Sequence, residues 1–519
     1  MSMRIDTKTS PLVIIAFDAG DPDFIQHWVQ EGYLSTLESL RRRGCWAKLA
    51  GREQLSEWGT WTSLLSGISR GQHGFYYFRQ LVPGTYDLRL FGARDTGVQP
   101  FWARLRGGGK QVAIIDPPES ELVPGLSGLQ LTDWATRYLP QREVRAAAEP
   151  AELLREAQRI FGPQITVHDF SPHKSLDEDR EVYHRLLERV EKKGTLCRSL
   201  LAKDRFDLVV VGFYESHDAA HRFWDYRPEA QANGHRHEIN ELTHAIRSVY
   251  QAIDRQIGLL LAELPSDANV FIISCYGMET LYPTTGLMDM FFPQLGYQGA
   301  STALLQSQKV QPLALVRRLM PQTWRVALQR YLPVQIQERL LAAQFRKGTN
   351  WQNATAFAIP ALFTSFVRVN MRGREPLGVI TPGAEYSTLL DRLEADLEQL
   401  VDPHTGNPAV RQITRTVTAF PPHPPVVLPD LFVEWQPGAH FMRRISHPHA
   451  ELTQSAPSYF RGSYHSHRGF VAAAGPAIRV RGAIGEVPLL DLAPTCLALL
   501  GQPIPQTLTG KVNPAILPG

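Results

Sequence analysis

Short runs of apolar residues alternate with longer amphipathic segments over the first 280 residues of the chain. The amphipathic segments have helical spacing. The short runs are bounded by turn residues, which is typical of strands buried on both faces of a parallel sheet. The pattern predicts an α/β fold with a doubly wound, mainly parallel sheet. The predicted strands are residues 12–17, 45–49, 111–116, 206–213, 269–274 and 469–474. The predicted helices are residues 24–44, 149–160, 177–199, 238–264 and 489–500.

Polar residues follow two of these strands near the point where each strand ends. Asp18 ends the first strand, and His217 and His221 come shortly after the fourth. In open α/β sheets, ligands and metals bind outside the carboxyl ends of the strands. We therefore expect these side chains to meet in one site at this edge of the sheet.

The spacing of His217 and His221 predicts a metal site. Residues four apart on a helical turn point the same way, so both imidazoles can bind one ion. Zinc suits imidazole and carboxylate ligands. His465 and His467 alternate just before a strand and are weaker candidates for the same site. The alternative is a polar loop with incidental histidines, because the chain contains 17 of them.

A further cluster of polar residues lies where the pattern predicts the start of a helix. Ser56 is placed to cap this helix, and Glu57 and Thr60 follow it. Exposed N–H groups and the helix dipole favour an anion at such a position. A hydroxyl here could then attack a phosphoryl group. The alternative is a plain helix cap.

The net charge, the cysteines and the length of the apolar runs limit the possible classes of protein. A formal net charge of +3 over 519 residues does not by itself indicate a nucleic-acid partner. The four cysteines lie far apart, which favours a reducing compartment over a disulfide framework or a zinc ribbon. No run approaches the roughly 18 apolar residues of a membrane span. These features predict a cytoplasmic protein of enzyme size without a transmembrane segment.

Residues 281–350 differ from the rest of the chain. They carry an excess of Lys and Arg, and prolines divide them into short amphipathic segments. We interpret them as an inserted helical lid. Its basic face is either merely solvated or a surface for an anionic substrate, an acidic carrier domain or a membrane surface. The predicted domains are a core of residues 1–280 and 430–519, the lid, and a smaller α+β insertion at residues 351–429.

Seven segments of the chain carry a family pattern: IIAFDAGDPD, WTSLLSGISRGQHGFYYF, VVVGFYESHDAAHRFWD, VRVNMRGREPLGVITPGAEY, PDLFVEW, YHSHRGFVAAAGP and LLDLAPTCLALLGQPIPQTLTGK. Together they resemble the type I phosphodiesterase/nucleotide pyrophosphatase branch of the alkaline phosphatase superfamily, over nearly the whole chain. The resemblance implies an alkaline phosphatase-like fold and a phosphoryl site that two metals, usually zinc, share. It also implies a Ser or Thr nucleophile that forms a covalent phosphoryl-enzyme.

One metal position implied by the resemblance is well preserved. His221 and His465 match family ligands, and His217 stands where the family has an Asp. Three neutral imidazoles make a reasonable zinc site with one open position. Loss of the negative charge should make the ion a stronger Lewis acid. We predict one zinc here, with manganese as the second candidate.

The other metal position and the nucleophile are altered relative to the family. Asp18 matches a family ligand, but Cys275 and Tyr276 replace an Asp-His pair. Cys275 could ligate a second metal as a thiolate, whereas Tyr276 suits hydrogen-bond donation better. Glu57 occupies the nucleophile position, where it could be a metal ligand or a general acid or base. Ser56, beside it, remains a candidate nucleophile.

Three functions are open at this point. The first is a metal-dependent hydrolase or transferase acting on a phosphodiester- or phosphomonoester-like substrate at a one-zinc or two-metal site. Ser56 and Glu57 are then the catalytic candidates. Thr60, Tyr276 and His467 would contact a small-molecule or carrier-bound anionic ester. The second is a catalytically silent family member that binds an anionic ligand or partner. The third is an esterase or acyl-type transferase that uses the three-His zinc site.

Overall fold

The computed structural model of the protein describes residues 10–135, 146–162, 175–232, 239–298, 334–420, 426–455 and 462–517. Its strands are, in chain order, β1 Leu12–Phe17, β2 Cys45–Ala50, β3 Arg79–Leu81, β4 Leu88–Leu90, β5 Gln111–Ile115, β6 Ser127–Thr132, β7 Ala147–Glu149, β8 Leu208–Phe213, β9 Asn269–Ser274, β10 Gly277–Thr280, β11 Ala356–Ile359, β12 Ser365–Val369, β13 Val410–Arg415, β14 Leu431–Trp435, β15 Arg444–His447, β16 Ala450–Thr453, β17 Ser463–Ser466, β18 Gly469–Ala474 and β19 Gly482–Pro488.

The α-helices of the described ranges are Pro22–Gln30, Ser35–Arg43, Thr60–Ser66, Arg70–His73, Ala151–Phe161, Leu176–Leu201, Glu215–Phe223, Pro228–Ala232, Ala245–Glu263, Thr285–Gln294, Val334–Gly348, Ala384–Glu398, Thr416–Ala419 and Leu492–Leu499. Short 3-10 helices are Arg52–Leu55, Ala93–Thr96, Phe101–Leu105, Trp224–Tyr226, Glu241–His244, Trp351–Asn353 and Leu489–Asp491. None of the helices within these ranges is both long and apolar enough to cross a membrane.

A large sheet lies at the centre of the molecule. Over the described residues it has nine strands in the order β19-β2-β18-β9-β1-β8-β5-β6-β7. β1 lies between β8 and β9 and is parallel to both. β18 is antiparallel to both of its neighbours, and β7 is antiparallel to β6. The predicted α/β class with a mainly parallel sheet is confirmed.

Burial explains why the central strands are so apolar. Every residue of β1, β8 and β9 is buried. The helices Leu176–Leu201 and Ala245–Glu263 pack on each other and contribute to the same core. Burying one Val, Ile or Leu side chain contributes about 1.5–3 kcal/mol. Asp18 directly follows β1, and the helix Glu215–Phe223 closely follows β8. The buried strands therefore fix the positions of both.

A second, smaller sheet has the strand order β11-β12-β14-β13. Leu431, Val433 and Trp435 of β14 face one hydrophobic cluster, and Phe432 faces another. β14 lies within residues 430–519, which we predicted to belong to the core, whereas the structure places it in the smaller sheet. Because both faces of β14 are buried, its apolar run does not indicate which sheet it joins.

Two predicted helices differ from the structure, and the physical reason in each case is a glycine. The predicted helix 24–44 is two helices, separated at Gly32, whose φ is +79°. The helix predicted to start at Ser56 starts at Thr60, and Ser56 is extended. Gly59 has φ +79°, and a Cβ there would lie 2.3 Å from the carbonyl oxygen of Phe75. Ser56 therefore cannot cap this helix.

The predicted lid is described only in part. The helices Thr285–Gln294 and Val334–Gly348 lie within residues 281–350. Arg79 donates to both carboxylate oxygens of Glu338, at 2.6 Å each, which joins the second helix to the hairpin of β3 and β4. Residues 299–333, which carry much of the basic charge, lie outside the described residues. The lid and its basic surface remain predictions.

Candidate metal centre and its cavities

Three imidazoles meet at the carboxyl edge of the large sheet. The helix Glu215–Phe223 follows β8 and carries His217 and His221, and β17 carries His465. One ligand nitrogen from each ring lies within 4.8 Å of the other two. The ring centres are 4.7 to 5.0 Å apart. Over the described residues, this is the group of His, Cys, Asp or Glu side chains that could hold a metal ion.

Asp18 lies against this group but outside it. Its Oδ2 is 2.9 Å from Nδ1 of His217. Its Oδ1 accepts hydrogen bonds from Nε1 of Trp61 at 2.7 Å and from the hydroxyl of Tyr276 at 2.8 Å. Its main-chain oxygen accepts one from Ser216 at 2.6 Å. Both carboxylate oxygens are thus hydrogen-bonded, and one of them orients an imidazole of the cluster.

Cys275 lies close to Asp18 in a fully buried position, and its thiol is not part of the three-His group. Burial raises the pKa of the Cys275 thiol well above its ordinary value, and the negative charges of Glu119 and Asp18 raise it further. The thiol therefore keeps its proton at neutral pH. The main-chain oxygen of Cys275 accepts a hydrogen bond from Gln54 at 2.8 Å.

Ser56 and Glu57 lie in a buried loop rather than in a helix. The hydroxyl of Tyr464 donates a hydrogen bond to Oε2 of Glu57, and Oγ of Ser56 is 3.4 Å from the same oxygen. The hydroxyl of Thr60 contacts the main-chain oxygens of Ser56, at 2.6 Å, and Glu53, at 3.1 Å. The Thr60 hydroxyl is therefore engaged within the loop.

A buried arginine shapes this loop. The guanidinium of Arg70 is fully buried and donates to four main-chain oxygens, those of Glu53, Ser56, Trp58 and Phe75. Carbonyl groups that converge on one guanidinium fix the loop without any secondary structure. We did not predict this role, because an arginine after a helix gives no signal in the sequence that it is buried.

A cavity of about 440 Å³ borders the cluster. It brings together groups from the large-sheet side and from the smaller sheet. Ser56, Glu57, Tyr276 and His465 line the first side, and Arg411 and Glu434 line the second. His467 also lines it, with Nε2 3.2 Å from Oε1 of Glu434. From the sequence we assigned no role to Glu434 or Tyr464; Tyr464 is 407 residues from Glu57, and no spacing pattern connects them.

A larger cavity of about 900 Å³ reaches Asp18 and Tyr276. Aromatic side chains form part of its wall: Trp58, Trp61, Phe75, Phe78, Phe91 and Tyr214. Charged side chains form another part: Arg94, Asp95, Glu119, Glu121 and Asp133. The two cavities share Tyr276, so the hydroxyl that donates to Asp18 lies at their border. Both cavities offer a ligand aromatic as well as charged side chains.

A buried ion network anchors the helix that carries two of the three histidines. Arg189 donates to Oε1 of Glu215 at 2.7 Å and to Oδ2 of Asp218. Nζ of Lys193 lies 3.3 Å from Glu215 and 3.6 Å from Asp116. All five side chains have an exposed fraction of 0–1%. The two acids of the ESHDAAH segment, Glu215 and Asp218, therefore hold the helix, and its two histidines are left for the site.

Solved structures of phosphonoacetate hydrolase from Sinorhizobium meliloti 1021 share this fold. The complex with phosphonoformate has a TM-score of 0.53 and 12% sequence identity, over 95% of both chains. The complex with phosphonoacetate has a TM-score of 0.50 and 11% identity, again over 95% of both chains. An inactive variant of murine ectonucleotide pyrophosphatase/phosphodiesterase 5 in complex with AMP gives 0.45 and 10%, over 96% of both chains. The fold is alkaline phosphatase-like.

The sequence defines the family more narrowly. Residues 12–460 match the type I phosphodiesterase/nucleotide pyrophosphatase family, and the chain belongs to it. The predicted family is confirmed, and with it a phosphodiesterase- or phosphatase-like hydrolase. A search of curated protein sequences gives no significant match.

Proposed function

We propose that the protein hydrolyses a phosphodiester-like substrate at a single zinc ion held by His217, His221 and His465. The observation that carries this proposal is the three-His group at the carboxyl edge of the sheet, in a chain of the phosphodiesterase family. Three protein ligands and one open position are the usual arrangement of catalytic zinc.

The donor chemistry of the group fits zinc. Nδ1 of His217 is engaged by Asp18, so its ligand would be Nε2, and a carboxylate on the opposite nitrogen raises the basicity of such a ligand. Nδ1 of His221 lies 3.3 Å from Oγ of Ser463, which likewise leaves Nε2 for the ion. Imidazoles suit zinc better than manganese. When bound, zinc polarises a phosphoryl oxygen and activates water.

The hydrogen bonds of Asp18 support one metal rather than two. Trp61, Tyr276 and His217 supply donors to both of its oxygens. In our proposal Asp18 orients His217, instead of holding a second ion. The protonated, buried thiol of Cys275 is a poor ligand, because metals bind the thiolate.

We assign Glu57 the role of general base. Its carboxylate lines the cavity that reaches His465, and Tyr464 and Ser56 lie against its Oε2. There it can take a proton from an attacking water molecule or from Ser56. If Glu57→Gln abolishes hydrolysis and Ser56→Ala does not, water is the nucleophile. Loss with Ser56→Ala would instead indicate a covalent serine intermediate.

The two cavities suggest how an ester substrate would lie. The phosphoryl group would lie at the three-His group, with the leaving group in the cavity that Glu57 and His467 line and the rest of the substrate in the larger cavity that Tyr276 borders. We propose a small-molecule or carrier-bound anionic ester as substrate, with the basic lid as the surface for an acidic carrier. A cytoplasmic location, which the four free cysteines support, is part of the same proposal.

Elemental analysis combined with an ester panel tests the proposal. We expect about one zinc per chain and hydrolysis of bis-p-nitrophenyl phosphate above p-nitrophenyl phosphate. Faster cleavage of a carboxylic ester than of either phosphate would favour the esterase alternative, since one three-His zinc can also polarise a carbonyl. A protein without metal, in which His221→Ala changes neither activity nor stability, would favour the catalytically silent alternative.

A further inference from the structure

Glu434 is a buried carboxyl group without a hydrogen bond. It lies on β14, and only 6% of its surface is exposed. Neither of its carboxylate oxygens has a hydrogen-bond partner among the described residues. The imidazole of His467 lies beside it, with Nε2 3.2 Å from Oε1. Buried polar groups are nearly always hydrogen-bonded, so an exception at a cavity points to a ligand.

The charges around Glu434 do not neutralise it. Arg411, on the neighbouring strand β13, is the cation that faces it, but Arg411 donates to Glu279 of β10 at 2.7 Å. The pKa of Glu434 is raised to about 7, because burial and the charge of Glu279 raise it more than the charge of Arg411 lowers it. At neutral pH a substantial part of the molecules therefore carry Glu434 as a carboxylic acid.

The position of this acid relates it to the reaction. Glu434 lines the same cavity as Glu57 and as His465, one of the three histidines of the group. Glu434 belongs to the smaller sheet, whereas His465 belongs to the strand that pairs with β10. The wall of one cavity thus carries a proton donor, Glu434, a proton acceptor, Glu57, and a histidine of the proposed metal site.

We propose that Glu434 donates a proton to the leaving group of the substrate; this inference rests on the proposed hydrolase function. In two-metal sites the ions clamp both the attacking and the leaving oxygen. In this chain Trp61 and Tyr276 contact Asp18 in the half of the site where a second ion would lie. The negative charge that develops on the departing oxygen must then be neutralised in another way, and a carboxylic acid can do so by donating its proton.

Atoms and protons balance in this hydrolysis step. The oxygen of water forms the new bond to phosphorus and gives its proton to Glu57. The bond between phosphorus and the leaving oxygen breaks, and the proton of Glu434 passes to that oxygen. The products are a phosphomonoester and an alcohol, with Glu57 protonated and Glu434 ionised. Proton exchange with solvent restores both side chains.

Leaving-group dependence in Glu434→Gln tests this role. Methyl phenyl phosphate and methyl p-nitrophenyl phosphate share the group that stays on phosphorus. The nitrophenolate leaves readily without a proton, whereas phenol has a pKa of about 10, as Tyr does. General acid catalysis contributes about 10²–10⁴-fold. We expect kcat/KM to fall about 100-fold or more for the phenyl ester and only a few-fold for the nitrophenyl ester.

The ratio of the two kcat/KM values is independent of the folded fraction, so poor folding of the variant does not obscure the result. Equal losses for both esters, or no loss, would overturn the inference and leave the hydrolase function standing. If zinc-loaded wild-type protein cleaved neither ester, the proposed function itself would fail, and the inference with it.

Two further measurements separate proton donation from a general charge effect. Because the charge of Glu279 raises the pKa of Glu434, Glu279→Gln should lower the phenyl-to-nitrophenyl rate ratio at neutral pH, and the ratio should recover as the pH falls. In the wild type, the phenyl-to-nitrophenyl rate ratio should fall as the pH rises through about 7, because ionised Glu434 has no proton to give. In Glu434→Gln the ratio should be flat, and a persistent pH dependence would contradict the assignment.

Discussion

The site has two different halves at the same edge of the large sheet: an imidazole half and a carboxylate half. On one half, three imidazoles converge with ligand nitrogens within 4.8 Å of one another. On the other half, Asp18 is engaged by donors from Trp61 and Tyr276. His217 belongs to both, because Nδ1 contacts Asp18 and its ring lies in the cluster. In our proposal, a site of the two-metal kind holds one metal because hydrogen-bond donors surround one carboxylate.

Removing a histidine from the imidazole half tests whether this half binds the metal. His221→Ala should eliminate bound zinc at stoichiometric levels and reduce hydrolysis to background, because two imidazoles do not complete a zinc site. Elemental analysis and rate measurement check it. His27→Ala, at an exposed position, is the matched control and should leave both unchanged. Full zinc content in His221→Ala would contradict the assignment.

The buried network behind the imidazole half should have the largest effect on folding. Arg189→Met leaves Glu215 and Asp218 buried without their shared partner, which costs about 3–5 kcal/mol. Chemical denaturation measures the loss. Arg255→Met removes an arginine from an exposed pair with Glu191 and should cost less than about 1 kcal/mol. Equal costs for the two variants would show that the network does not anchor the helix.

Asp18→Asn tests whether the carboxylate of Asp18 orients His217 or binds a metal ion itself. An orienting carboxylate typically contributes 10–100-fold to metal affinity, so we expect weaker binding with the number of zinc ions unchanged. Competition with a chelator gives the affinity. Asp23→Asn, at an exposed neighbouring acid, is the control and should bind zinc as the wild type does. A drop from two ions to one in Asp18→Asn would instead identify Asp18 as a ligand.

The smallest expected effect belongs to a single donor of Asp18. Tyr276→Phe leaves the hydrogen bonds from Trp61 and His217 in place, so zinc affinity should fall by less than about tenfold. Tyr33→Phe at the surface is the control. A loss in Tyr276→Phe as large as that of Asp18→Asn would mean that the Tyr276 hydroxyl itself contacts the ion or the substrate.

The sequence predicted the elements that depend on local pattern. The fully buried strands were predicted because their apolar runs are short and continuous. The spacing of His217 and His221 pointed to one face of a helix, and the structure shows them on the helix Glu215–Phe223. Adding His465 to this pair depended on the family resemblance, since HSH before a strand carries little information by itself.

Long-range hydrogen bonds account for what the sequence did not predict. Trp61 is 43 residues from Asp18, and Tyr464 is 407 residues from Glu57. No spacing rule connects such pairs, so their roles appear only in the folded chain. The start predicted at Ser56 was wrong for a local reason, because Gly59 adopts a left-handed conformation just before the helix begins. The substrate-binding roles of Thr60 and His467 stay predictions.

Metal stoichiometry with anomalous diffraction at the zinc edge tests the central claim most directly. The account predicts one zinc ion per chain, bound to His217, His221 and His465, with Asp18 bonded to His217 and not to the ion. Two ions, the second bound to Asp18 or Cys275, would contradict it, and so would zinc-free crystals of fully active protein.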